Sequence, residues 1–184
     1  LQYAEKFGKG IVQANYRKLF ENNTQIDLRF YAGVFAFNKT QSDFFNFALD
    51  RPTDYLFDYN YYGRSETTGL FSQQLILAEG GFKSKFENQF ANQWMTTLNF
   101  GVNLWNWVEV YGDVGLLKNK GFNERFIFDS GVRLNLVQDY FELYFPIVSS
   151  NGWEIAQERY DQKIRFVVTL NPKILLNLFN RKWL

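Results

Sequence analysis

An alternation of apolar and polar residues, in runs of about ten, constrains this chain more than any other feature. In the clearest run, from Trp94 to Leu104, the even positions are mostly apolar and the odd positions are mostly polar or small. A β-strand repeats every two residues, so such a run has one apolar face and one polar face. Runs of this length that follow one another are typical of tilted strands that cross a bilayer.

Seven segments alternate in this way, and we expect each of them to be a strand. They are 10–20, 25–37, 94–104, 108–116, 125–136, 140–148 and 163–170. Two further segments, Asp54–Tyr62 and Leu70–Ala78, alternate less well. We expect these two to be either membrane strands or a hairpin held outside the barrel.

The links between the segments alternate strictly between short and long. The short links are 21–24, 64–69, 105–106 and 137–139, and the long links are 38–53, 79–91, 117–123 and 149–161. Outer-membrane barrels have short periplasmic turns at one rim and longer external loops at the other. The sequence therefore predicts an all-β fold over residues 1–171. The predicted fold of this region is a transmembrane antiparallel up-and-down β-barrel of 8–10 strands, with short inner turns and long outer loops.

The number of segments is odd, nine with the weak pair and seven without it, whereas bacterial single-chain barrels usually have an even number of strands. We therefore expect one further strand to precede Leu1. Pro172 ends the last segment, and residues 172–184 are expected to form a C-terminal interfacial tail. Packing of this tail at the barrel rim is the alternative.

The composition excludes several kinds of chemistry. The chain contains no His and no Cys, which removes the usual general base, the commonest metal ligand and all thiol chemistry. Its formal net charge of +1 provides no electrostatic basis for nucleic-acid binding. We predict that the chain itself is not an enzyme, holds no cofactor or metal, and has no nucleic-acid partner.

The polar face of the predicted strands carries charges of both signs, which we expect to form an ion-pair network in the barrel lumen. The members are Asp27, Arg29, Glu109, Asp113, Asp129, Arg133, Glu142, Lys163 and Arg165. A lone buried charge costs several kcal/mol, so these groups must pair, and we expect Arg133 to bind Glu142 on the next strand. Small barrels are just wide enough to be filled by side chains, which favours a solid plug over an ion or solute path.

Aromatic residues concentrate near the ends of the predicted strands and make up 20% of the chain. Near the short turns, the predicted aromatic belt consists of Phe20, Trp105, Trp107, Tyr140 and Phe141. A second group near the long links contains Phe37, Tyr55, Phe90 and Phe126. Two belts of this kind are expected at the two surfaces of a bilayer, and cross-strand aromatic packing in a soluble sheet is the alternative.

Several segments also resemble a known family. They are Gly131–Asn135, Tyr140–Pro146, Lys163–Phe166, Tyr62–Glu66 and Glu79–Phe82. Together they resemble the C-terminal outer-membrane β-barrel region of certain Gram-negative proteins, some of which are fused to an upstream aminopeptidase-N-like (gluzincin) metallopeptidase domain. The zinc signature of such peptidases needs two His, so no catalytic residue carries over to this chain. The resemblance implies an anchor, with any peptidase activity upstream.

Three functions remain open at this stage. The first is an outer-membrane β-barrel that serves as an anchor or scaffold for an upstream domain or a membrane protein complex, with the lipid bilayer and a protein as its partners. The second is a small pore or ligand-binding barrel. The third is a soluble lipocalin-like carrier, in which the apolar face of every strand would point inward instead of outward.

Overall fold

The computed structural model describes residues 2–22, 24–39, 46–53, 68–137 and 141–168. In these ranges the fold is all-β, and the helical segments are three short 3-10 turns at Leu70–Gln73, Glu154–Ala156 and Tyr160–Gln162. Within the same ranges, no helix has the length and apolar character needed to span a membrane.

The strands of the described ranges form one large antiparallel sheet and one small one. They are β1 (Gln2–Ala4), β2 (Phe7–Leu19), β3 (Gln25–Asn38), β4 (Phe47–Ala48), β5 (Phe90–Ala91), β6 (Trp94–Trp105), β7 (Val108–Lys118), β8 (Arg125–Val137), β9 (Phe141–Ser149), β10 (Gly152–Trp153) and β11 (Arg165–Val168). The large sheet runs in the order β1-β2-β3-β6-β7-β8-β9, where β9 then pairs with both β10 and β11, and β4 pairs with β5 separately.

Each of the seven predicted segments overlaps one strand of the large sheet, namely β2, β3, β6, β7, β8, β9 or β11. Neighbours along the sheet are antiparallel, so the predicted all-β, up-and-down arrangement is confirmed. In the part of the chain that the structure describes, the sheet is not closed, because β2 and β11 are not hydrogen-bonded to each other.

One weakly alternating segment is not a strand. Leu70–Gln73 is a 3-10 turn, Gln74 forms an isolated parallel bridge with Phe166, and Leu75 is buried. Leu75 packs with Tyr111 and Tyr144, so this segment crosses the inside of the sheet instead of pairing along its length. Both alternatives expected for Leu70–Ala78, a membrane strand or a hairpin outside the barrel, were therefore wrong. The other weak segment, Asp54–Tyr62, lies outside the described residues.

The links that join β2, β3, β6, β7, β8, β9 and β11 alternate between short and long. Residues 20–24, 106–107 and 138–140 are short links, and residues 39–93, 119–124 and 150–164 are longer links. Because successive strands are antiparallel, all short links lie at one end of the sheet, which we call the short-turn end. The longer links lie at the opposite, long-link end.

The sheet curls around its polar face. Arg133 on β8 lies 3.5 Å from Asp27 on β3, although β6 and β7 separate these strands in the sheet. The odd-numbered residues of β3, of β6 up to Asn103, of β7 and of β8 up to Asn135 face this inner side, and most of them are buried. The inner face is therefore enclosed, whereas the opposite face points outward.

The link between β3 and β6 fills part of the enclosed space. Phe47 and Phe82, from two parts of this link, pack in one cluster with inward-facing Tyr31, Met95 and Ile127. We call residues 46–53 and 74–86 the plug. A Cβ atom at Gly33 would lie 2.4 Å from the Phe47 ring, so a glycine on β3 is what allows the plug to approach so closely.

Candidate functional site: the plugged inner face

The inner face of the sheet has two different halves. Toward the long-link end, the plug packs against Tyr31, Phe35, Met95 and Leu117, and this half is apolar. Toward the short-turn end, the inner residues are mainly polar or charged. A polar row crosses five strands between the two halves, with its members directly opposite one another in the strand register. The row consists of Asn15, Arg29, Asn99, Asp113 and Asp129.

The tip of the plug is bound to this polar row. The Lys83 ammonium donates hydrogen bonds to both carboxylate oxygens of Asp113, at 2.7 and 2.8 Å. The backbone N–H groups of Lys83 and Ser84 donate to Asp129 Oδ2, at 2.9 and 2.6 Å. Asn99 donates to the carbonyl oxygen of Gly80 at 3.0 Å. We refer to Lys83, Asp113 and Asp129 as the latch.

All three latch side chains are shielded from solvent. Asp113 and Asp129 are opposite each other on β7 and β8 and are at most 1% exposed, and Lys83 is 5% exposed. Two buried carboxylates next to each other repel, and Lys83 supplies the positive charge that offsets them. When the plug is in place, Lys83 therefore offsets negative charge that Asp113 and Asp129 would otherwise leave buried without a cation.

A second charged cluster lies nearer the short-turn end and is centred on Arg133. Its closest carboxylate is Glu109, directly opposite on β7. Asp27 lies 3.5 Å and Glu142 lies 3.7 Å from the guanidinium. The expected ion pair between Arg133 and Glu142 is present, but Glu109 lies closer to the guanidinium than Glu142 does. Glu142 is opposite Asn135 in the register of β8 and β9, and it accepts a hydrogen bond from the Tyr144 hydroxyl at 2.5 Å.

The other predicted network residues have different partners. Arg29 donates to Asn99 at 2.8 Å and to Gln13 at 3.3 Å, and Asp27 accepts from Arg17 at 2.7 Å. These contacts remain on the inner face, where they connect β2, β3 and β6.

The side chains of two predicted members, Arg165 and Lys163, bind residues of the links between strands. Arg165 on β11 is buried, and it binds the plug through Asp50 at 3.4 Å and through the carbonyl oxygen of Gln74. Lys163 lies outside the network. The 3-10 turn Tyr160–Gln162 delays the start of β11, and Lys163 binds Glu154 in the link that precedes it.

Besides the latch and Arg165, Glu79 also binds the plug to the sheet. No role on the inner face was predicted from the sequence for Glu79 or for Lys83. The Glu79 carboxylate accepts hydrogen bonds from the Ala48 N–H and the Thr53 hydroxyl, and it lies 3.5 Å from the Lys9 ammonium. Burial raises the pKa of Glu79, and the nearby Lys9 charge and the Thr53 hydrogen bond partly offset this increase. One carboxylate thus joins β2 to both parts of the plug.

These plug residues belong to an aperiodic link, so alternation could not assign them to a face. One feature of the strands indicates that a cation must come from elsewhere in the chain. Asp113 and Asp129 are directly opposite each other on neighbouring strands, and neither strand places a cation beside them. Such a pair needs a partner from elsewhere. Gly115 likewise indicates that another part of the chain packs closely on β7, since a Cβ atom there would lie 3.1 Å from the Phe82 ring.

A cavity of about 390 Å³ extends from the latch toward the short-turn end. Its wall includes the cations Arg17, Arg29, Lys83 and Arg133, together with Asp27. Glu109 and Asp113, which bind two of these cations, lie behind them, so the positive charge of the wall is largely balanced. The balance gives no preference for an anionic over a cationic solute.

Four of the five predicted belt residues lie at the short-turn end in the described part of the chain. Phe20, Trp105 and Trp107 are exposed, Trp105 most strongly at 75%, and Phe141 at the start of β9 is half-buried. Tyr140 lies outside the described residues. At the long-link end Phe90 and Phe126 are exposed and Phe37 is half-buried, whereas Tyr55 lies outside the described ranges.

Comparisons with known proteins do not identify the chain. No protein-family model, curated protein or solved structure matches it. The resemblance to Gram-negative outer-membrane barrels therefore stays a prediction. Among the described residues, no group of three or more acidic, His or Cys side chains is placed to hold a metal ion.

Proposed function

We propose that this chain is a transmembrane β-barrel of the outer-membrane type that acts as a membrane anchor or scaffold. The observation that carries this proposal is the inverted burial of its sheet. On β6, Leu98 and Phe100 are 40% and 41% exposed, whereas Thr97 and Asn99 on the other face are 2% and 8% exposed. Water-soluble sheets bury their apolar face instead.

The exposed apolar face extends over several neighbouring strands. Its exposed members include Val12, Leu28, Phe30, Val34, Leu98, Phe100, Leu116, Phe126 and Leu136. In water, a continuous apolar surface of this kind favours association or aggregation. Against lipid chains it is the surface that a membrane strand requires, with aromatic residues at its two ends. The outer membrane of a Gram-negative cell is the bilayer that hosts such barrels.

The filled interior supports a structural role over a transport role. The latch, Glu79 and the Arg165–Asp50 contact each bind the plug to a different strand. A scaffold that is solid on the inside does not leak, and it leaves its rims available to an attached domain or to a partner in a membrane complex. We propose that contact with such a protein is the biological role of the chain.

The cavity of about 390 Å³ favours a second candidate, a gated pore. It lies on the short-turn side of the latch, and Arg17, Arg29 and Arg133 form part of its wall. A path through the barrel would require the plug to move. Planar-bilayer conductance separates the two roles. An anchor gives no unitary currents, whereas a pore gives currents that increase when Lys83 is replaced by Met.

Site-specific labelling tests the membrane assignment, and the chain contains no native Cys to interfere. The variants Ala14→Cys and Asn15→Cys form a matched pair, because these neighbouring residues are both exposed but lie on opposite faces of β2. Leu98→Cys adds a site at the middle of the sheet. Each variant carries one environment-sensitive fluorophore and is inserted into vesicles that contain brominated lipids.

We expect strong quenching of the label at positions 14 and 98 and weak quenching at position 15. Equal quenching at positions 14 and 15 would contradict the inverted faces. A protein that remains monomeric in buffer without detergent would contradict the membrane assignment itself and would favour a soluble carrier.

A further inference from the structure

One edge of the large sheet differs from every interior strand. From Ile11 to Leu19, all residues of β2 are exposed on both faces. On β7, by contrast, the inner face is buried along its whole length. On the side away from β3, β2 pairs with β1 only over Phe7 to Lys9, and no other described strand continues this ladder.

The hydrogen-bond pattern shows which backbone groups point to this edge. The Phe20 N–H donates to the Thr24 carbonyl oxygen in the turn that joins β2 to β3. In an antiparallel pair, hydrogen-bonded residues alternate with residues whose N–H and C=O groups point the other way. The even-numbered Val12 and Ala14 therefore bond to β3, and Ile11, Gln13 and Asn15 direct their backbone groups to the edge.

We propose that the β2 edge from Ile11 to Asn15 binds one further amphipathic β-strand from a partner membrane polypeptide, antiparallel to β2 and in line with β1. This inference rests on the proposed function, because an edge matters most in lipid, where no water can satisfy a backbone group. The chain's own strand β1 already pairs with the same edge over Phe7 to Lys9, so the partner strand continues a ladder that β1 begins.

The two faces of β2 define the chemistry of the partner strand. Val12 and Ala14 lie on the outer, apolar face, and Gln13 and Asn15 lie on the inner face, where Asn15 lines the cavity. Side chains that are directly opposite across a ladder share a face. The partner must therefore present apolar residues opposite Val12 and Ala14, and polar residues opposite Gln13 and Asn15.

Amide hydrogen exchange of the full chain in detergent micelles tests this proposal. The probe is a synthetic peptide of about ten residues with strictly alternating Leu and Thr, long enough to follow one membrane strand. The control peptide has the same composition with all Leu residues in one block. Without peptide, we expect the N–H groups of Ile11, Gln13 and Asn15 to exchange at least about tenfold faster than those of Val12 and Ala14.

The alternating peptide should slow the exchange at Ile11, Gln13 and Asn15 to the rate of their neighbours, and the block peptide should not. Asn15→Pro removes an N–H that points to the edge and leaves the bonds to β3 intact, so it should abolish the protection that the peptide gives at Gln13. The matched variant Asn15→Ala keeps the N–H and should retain this protection. Unchanged exchange on β6 in both variants verifies that the sheet remains folded.

Several results would overturn the proposal. Slow exchange at Ile11, Gln13 and Asn15 without peptide would mean that the chain covers this edge itself. Protection that increases with protein concentration would identify a second copy as the occupant. No protection by the alternating peptide, or equal protection by both peptides, would exclude a specific strand site. None of these results changes the quenching expected at position 98, so this proposal and the membrane assignment fail separately.

Discussion

The two halves of the inner face are filled in different ways. Toward the long-link end, the space is occupied by Phe47, Leu49 and Phe82, which come from the long link between β3 and β6. Toward the short-turn end, the strands fill the space with their own side chains, chiefly Arg133 with Glu109, and a cavity remains. Short turns contribute no side chains to the inside of the sheet, so there the strands fill the space themselves. A long link can instead fold back and pack its own side chains against the inner face.

Substitutions at the boundary between the two halves should lower the stability of the protein most. Replacing Lys83 by Met removes the cation and leaves Asp113 and Asp129 buried beside each other. We expect a loss of about 3–5 kcal/mol in the free energy of unfolding, the usual cost of breaking a buried pair. Urea unfolding from lipid vesicles measures it.

A triple variant provides the control for this prediction. Lys83→Met combined with Asp113→Asn and Asp129→Asn removes both carboxylate charges, and it should recover a large part of the lost stability. If the single and triple variants are equally unstable, the latch acts through packing and not through charge.

Two glycines test the difference in packing between the halves. A Cβ at Gly33, under the plug, would lie 2.4 Å from Phe47, whereas a Cβ at Gly101, beside the cavity, has its nearest neighbours at 3.8 Å. Gly33→Ala should cost about 1–3 kcal/mol through overcrowding. Gly101→Ala should be close to neutral, and equal costs at the two positions would contradict the contrast between a packed half and an open half.

The Arg133 cluster tests how the short-turn half is stabilised. Arg133→Met alone should destabilise more than the double variant Arg133→Met/Glu109→Gln, because the single change leaves a buried carboxylate without its cation. Double-mutant cycles should give a coupling of about 0.5–3 kcal/mol for Arg133 with Glu109. The coupling of Arg133 with Glu142, at 3.7 Å, should be weaker. The reverse order would identify Glu142 as the stronger of the two partners.

The smallest expected effect concerns pH. Burial raises the pKa of Glu79 above its ordinary value of 4.5, so the folded state favours the protonated carboxyl more than the unfolded state does. This contribution to stability is therefore fully present below the unfolded pKa, and it is lost as the pH rises through the folded pKa. The stability of the native protein relative to Glu79→Gln should increase as the pH falls toward 4.5. A pH-independent difference would exclude titration of Glu79.

The sequence predicted the strands well for a physical reason. Each strand separates an enclosed polar face from an exposed apolar face, so Leu98 and Asn99 differ in kind, and the period of two is visible. The plug has no such period. Phe47 and Phe82 are buried because their link folds back onto the inner face of the sheet, and no local pattern records this.

Alternation places the charged residues on one face of the strands more readily than it identifies the closest partner of each. Arg133 lies opposite Glu109 because β7 and β8 pair without interruption, whereas β8 and β9 shift register between Ser130 and Gly131 and between Asn135 and Val137. Irregularities of one residue change which side chains are opposite each other. They depend on backbone details that alternation of residue types does not specify.

The link that supplies the plug also has a consequence for how the sheet assembles. The ladder between β3 and β6 joins residues 60 to 76 positions apart in sequence, whereas β6 and β7 join residues at most 24 positions apart. Local contacts form faster than distant ones, because the entropy of closing a loop increases with its length. The β2–β3 hairpin and the β6–β9 meander should thus be separate early units, and their union along the β3–β6 seam should be the slow step of folding.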